Sequence, residues 1–64
     1  MITLVISDVD GKELESNKLA VVDVLPYIKL LETYGYLSDD GDEYKFNRAY
    51  VMSESLVYID VEIQ

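Results

Sequence analysis

The chain offers carboxylates and phenols for chemistry and little else. Thirteen of its 64 residues are Asp or Glu and six are Tyr, while Cys and His are both absent. Without them, nucleophilic catalysis by a Cys/His or Ser/His pair has no base, and zinc has none of its usual thiolate or imidazole ligands. Six of the acidic residues gather in two strings, Asp8-Val9-Asp10-Gly11 and Ser38-Asp39-Asp40-Gly41-Asp42-Glu43. Two carboxylates can work as acid and base only where a pocket drives their pKa values apart. A chain this short has little room for one, so the composition points away from an enzyme.

Read with the apolar run before it, Leu4-Val5-Ile6-Ser7-Asp8-Val9-Asp10-Gly11 resembles the first motif of haloacid-dehalogenase-type phosphatases, an apolar strand ending in Asp-x-Asp-Gly. The resemblance implies Asp8 as nucleophile, Asp10 as acid/base and Mg²⁺ beside them. It covers eight residues only, Lys12 stands where that family has Thr or Val, and the chain is too short for the sheet that supplies the later motifs. A hairpin with an Asp-Gly turn accounts for the same residues. The second string resembles an ion loop in composition. It lacks the D-x-[DN]-x-[DN]-G spacing and the distant bidentate Glu of an EF-hand, and it reads as a solvated loop. No metal and no cofactor is expected.

The elements that carry these strings are set by hydrophobic periodicity. Leu56 to Gln64 alternates cleanly, with Val57, Ile59, Val61 and Ile63 on one face and Tyr58, Asp60 and Glu62 on the other, and predicts a half-buried strand. Ile2 to Ser7 predicts a central strand. A three-residue loop at Val9-Asp10-Gly11 then sets Leu14 opposite Ile6; a two-residue loop would place Glu15 there and put a carboxylate on the apolar face. The second strand, about Lys12 to Ser16, is polar and suits an edge. Residues 19 to 23 read ambiguously as strand, loop or helix. Pro26 fits a first helical turn and Asp23 an N-cap, which predicts a helix from about Val24 to Tyr34 stopped by Gly35. Tyr44 to Met52 forms the third strand, with a turn at Ser53-Glu54.

The expected architecture is α+β: a small ββαββ domain over residues 1–64, its four-stranded mixed sheet in the order 2-1-4-3, β-grasp-like, with one helix packed on one face. Pairing Met52 with Ser55 puts Ile59 opposite Arg48 and Val61 opposite Phe46 on the inner face. The outer face then collects Val51 opposite Leu56, Ala49 opposite Tyr58, Asn47 opposite Asp60 and Lys45 opposite Glu62. Arg48 on the inner face is the awkward position of this register.

Function follows only coarsely. A net charge of −8 opposes direct binding to nucleic acid or an anionic membrane and favours a basic partner. The N-terminal run lacks the positive start and apolar length of a signal peptide, and no run reaches the ~18 residues of a membrane span, so a cytoplasmic protein is expected. The outer-face cluster Val5, Ala49, Val51, Leu56 and Tyr58 predicts a protein-interaction surface, in its simplest form a homodimer contact. The alternative is an acidic inhibitor that mimics nucleic acid, similar in size and charge to small phage-encoded inhibitors. Its candidate phosphate mimics are Asp39, Asp40, Asp42 and Glu43, with Asp8, Asp10, Glu13 and Glu15 in support.

Overall fold

The alternating C-terminal segment forms the strand on which the sheet is centred. The computed structural model describes residues 1–64, in the order β1 (Ile2–Ser7), β2 (Glu13–Leu19), α1 (Val21–Tyr34), β3 (Tyr36–Leu37), β4 (Glu43–Ser53) and β5 (Leu56–Ile63). The sheet order is β2-β1-β5-β4-β3, with β1 parallel to β5 and every other pair antiparallel. The α+β class and the single helix agree with the sequence; the strand count does not. The two-residue β3 adds a fifth strand, because the chain leaving α1 at Gly35 pairs Tyr36 with Tyr44 and Leu37 with Glu43 before entering the acidic loop.

Leu4 and Ile6 of β1 lie beside Val57 and Ile59 of β5, and these side chains with Val61, Tyr36, Tyr44 and Leu31 make the buried core. Helix α1 covers this face with Leu31 buried and Val24, Tyr27 and Ile28 half-buried. A domain of this size has little interior to offer, and much of α1 stays in solvent.

The helix begins earlier than Asp23. Ala20 takes the N-cap position with no side-chain cap, and the Asp23 backbone N–H donates to the Ala20 carbonyl at 2.9 Å. Asp23 therefore sits in the first turn, where a carboxylate favours the positive end of the helix dipole. Pro26 falls at the sixth helical residue and leaves the Val22 carbonyl without its helical donor. At the other end Gly35, with φ +79°, donates its N–H to the Leu31 carbonyl at 2.8 Å.

Two registers differ from the sequence reading. In the β1–β2 hairpin Ile6 faces Glu15, Ser7 faces Glu13, and Leu14 bulges between them. The apolar face tolerates Glu15 because the Tyr36 and Tyr27 hydroxyls donate to its carboxylate at 3.1 and 3.3 Å, and the Asn17 amide donates from the same strand. In the β4–β5 hairpin Tyr44, Lys45 and Phe46 pair with Ile63, Glu62 and Val61 as expected, but a bulge at Asn47 shifts everything after it. Arg48 now faces Asp60, Ala49 faces Ile59, Tyr50 faces Tyr58 and Val51 faces Val57, and a second bulge at Met52 lets Ser53 face Leu56. One inserted residue inverts the pleat, which takes Arg48 off the inner face and brings Ala49 and Val51 onto it.

Candidate docking surfaces

The outer face of the sheet is not the apolar cluster expected from a regular register. Val5, Leu56 and Tyr58 do share it, since Val5 is beside Tyr58 and Thr3 beside Leu56. Ala49 and Val51 are on the opposite face, carried there by the Asn47 bulge. In their place stand Arg48 and Tyr50. The Arg48 Nε–H donates to Asp60 Oδ2 at 2.9 Å, the Ser7 hydroxyl donates to Asp60 Oδ1 at 3.4 Å, and the guanidinium lies 5.2 Å from the centre of the Tyr50 ring. Asp60 holds the Arg48 pKa above its ordinary value, first by this hydrogen bond and then by its charge. The Tyr50 and Tyr58 rings are tilted against each other with centroids 5.9 Å apart. Beneath this lattice Val5 is only 7 % exposed. What the face presents is a ladder of paired polar groups with aromatic edges.

The exposed apolar surface lies instead on the helix side. Val21 and Leu25, one turn apart on α1, meet Val51 across a groove of about 270 Å³ whose floor is Ile2, Val24 and Val57. Val21, Leu25 and Val51 are 69, 76 and 73 % exposed, and Val22 and Met52 beside them are also mostly in solvent. Glu54, at the tip of the β4–β5 hairpin, is its one charged lining residue. The sequence did carry a sign of this surface: Val21-Val22-Asp23-Val24-Leu25 is more apolar than a helix burying one narrow stripe requires.

The two acidic strings end up together at the opposite end of the sheet, because β1 and β5 finish where β4 begins. Asp8 and Asp10 lie in the β1–β2 loop, Asp39, Asp40 and Asp42 in the β3–β4 loop, with Glu43 opening β4. Tyr44 lies between the loops: burial raises its pKa first, and the charges of Asp42, Asp8 and Asp40 raise it further. Within the first loop Asp8 Oδ1 accepts the backbone N–H groups of Asp10 and Lys12, each at 2.9 Å, so this carboxylate is tied into the turn. In the second, the Asp42 N–H donates to Ser38 Oγ and Gly41 adopts φ +87°. No three carboxylates converge into a set that would hold a metal ion. Glu15 stands apart from this pole, engaged by the two tyrosines; burial raises the pKa of each ahead of the contribution from Glu15.

No helix is long and apolar enough to cross a membrane. No protein-family profile, curated protein or solved structure matches the chain.

Proposed function

We propose that this protein is a non-enzymatic interaction module that docks a protein partner through the apolar groove between α1 and the far end of β4. The observation that carries the reading is the gathering of Val21, Leu25 and Val51, all mostly exposed, around one concave site. Contiguous exposed apolar surface on a small domain marks an interaction site more often than scattered single residues do. The sheet face around Tyr58 is the weaker candidate for self-association, since its charges are paired and Val5 is already covered. A cytoplasmic setting belongs to the same proposal.

The test is affinity capture from cell extract at low and high salt, comparing the wild type, a Leu25→Asp/Val51→Asp double variant and Tyr58→Asp. Partner retention at high salt that is lost in the groove variant and kept in Tyr58→Asp is the expected result. The reverse pattern would contradict the proposal and return the docking surface to the outer face.

A second reading, the nucleic-acid mimic, is favoured by one observation: the two acidic loops meet at a single end of the sheet, close enough for Asp8, Asp40 and Asp42 all to act on Tyr44. On that reading Asp39, Asp40, Asp42 and Glu43 stand in for phosphates on a basic enzyme. Capture would then fall steeply with ionic strength and vanish in an Asp39→Asn/Asp40→Asn/Asp42→Asn variant.

A further inference from the structure

Beside the groove, β4 has a free edge. The strand runs from Glu43 to Ser53, but β3 pairs only with Tyr44 and Glu43, so from Lys45 onward β5 is its sole neighbour. None of the backbone hydrogen bonds outside the helix and strand ladders involves residues 45 to 53. The bulges at Asn47 and Met52 interrupt this edge and leave Arg48-Ala49-Tyr50-Val51 as its regular stretch. The other free edge, β2, differs: its inner side is closed by the Tyr27 and Tyr36 hydroxyls reaching Glu15, whereas the inner side of β4 opens into the groove at Val51.

We infer that the occupant of the groove is a short extended segment of a basic protein, added as a strand to the β4 edge at residues 48 to 51. This rests on the docking reading above and names its partner. Strand addition supplies main-chain hydrogen bonds to an unpaired edge, and alternate side chains of the added strand enter whatever pocket lies beside it. Here those side chains are apolar, to meet Leu25, Val21 and Val51. The charge is set by what the groove leaves unpaired. Lys45 is held by Glu62 at 3.5 Å and Arg48 by Asp60 at 2.9 Å, while Glu54, the one charged residue lining the groove, is in no ion pair. Lysine or arginine at the end of the segment that reaches Glu54 complements it. A second copy of this chain is disfavoured as occupant, since each copy brings a charge of −8.

The test is an NMR titration of the full chain with the heptapeptide Lys-Thr-Val-Thr-Val-Thr-Lys, whose valines and terminal lysines share one face of an extended strand, and with heptapeptides in which glutamate or threonine replaces lysine. The expected result is amide shifts confined to residues 48–51 and the Val21–Leu25 turn, slowed amide exchange within 48–51, and tighter binding of the lysine peptide than of the other two. Leu25→Ser should weaken that binding about ten-fold or more, as the loss of a buried leucine contact implies. Leu30→Ser, on the far side of α1, should leave it unchanged and shows that the fold tolerates such exchanges. Equal binding of the threonine or glutamate peptide at the same seam would overturn the basic partner and leave the groove as a docking site. Protection of residues 48–51 by the protein's own association, with no response to peptide, would make the occupant a second copy. Shifts around Tyr58 instead, or no response in a monomeric protein, would overturn both the occupant and the docking reading.

Discussion

Glu15 joins three elements at one carboxylate: it belongs to β2, and it accepts hydroxyls from Tyr27 of α1 and Tyr36 of β3. Replacing it with alanine leaves those hydroxyls without acceptors in a half-buried site, and Glu15→Ala should cost about 1 to 3 kcal/mol in urea unfolding. The same contacts make stability depend on alkaline pH. Tyr27 and Tyr36 have folded pKa values above the ordinary 10.0, so folding favours their protonated forms. That contribution is complete below pH 10.0 and is lost as the pH rises through the folded values. A Tyr27→Phe/Tyr36→Phe variant should therefore lose less stability than the wild type between about pH 9 and pH 11; an identical loss would remove these tyrosines from the account. At Gly35 a Cβ would meet the Tyr44 carbonyl oxygen at 2.5 Å, while at Gly41, also with positive φ, it would meet open space. Gly41→Ala should cost about 1 to 2 kcal/mol from conformation alone, and Gly35→Ala distinctly more, as denaturation midpoints would show.

At the scale of elements, β4 decides which residues face the helix. Its bulge at Asn47 has a specific consequence for deletion. Because Phe46 pairs with Val61 and Arg48 with Asp60, removing Asn47 joins two stretches that are already in phase, and the pairs on either side should persist. We expect the Asn47 deletion to unfold cooperatively and to keep the Tyr50–Tyr58 ring contact, read from their mutual NOEs. In a strand without the bulge the same deletion would invert every later side chain. This is also where the sequence was least legible. The alternation of β5, the central position of β1, the stop at Gly35 and the Lys45–Glu62 pair could all be read from residue types at fixed spacing. A single inserted residue has no compositional mark, and an unbroken ladder places Ala49 and Val51 on the outer face. The one trace was Arg48, which a regular register places on the apolar face beside Ile59, an arrangement the bulge relieves. Glu15 escaped for a related reason. Its acceptance on the inner face depends on hydroxyls from two elements distant in the chain, and β-hairpin rules do not contain them.

Over the whole molecule, the chain sorts its charge and its apolar surface to opposite ends of one sheet. The β1–β2 and β3–β4 loops bring Asp8, Asp10, Asp39, Asp40 and Asp42 to one end, and the first turns of α1 with the β4–β5 hairpin bring Val21, Leu25, Val51 and Met52 to the other. Substitutions at either end should act on binding more than on folding. Leu25 and Val51 are exposed, so Leu25→Ser or Val51→Ser should shift stability by no more than about 0.5 kcal/mol in thermal or urea unfolding. The measurement that tests the central claim most directly is a methyl NOE experiment on the wild-type protein. The register predicts cross-peaks from Val51 to Val57 and from Ala49 to Ile59, together with Tyr50 to Tyr58. Cross-peaks from Val51 to Leu56 and from Ala49 to the Tyr58 ring would contradict it, dissolve the groove, and restore the outer face as the apolar surface of the domain.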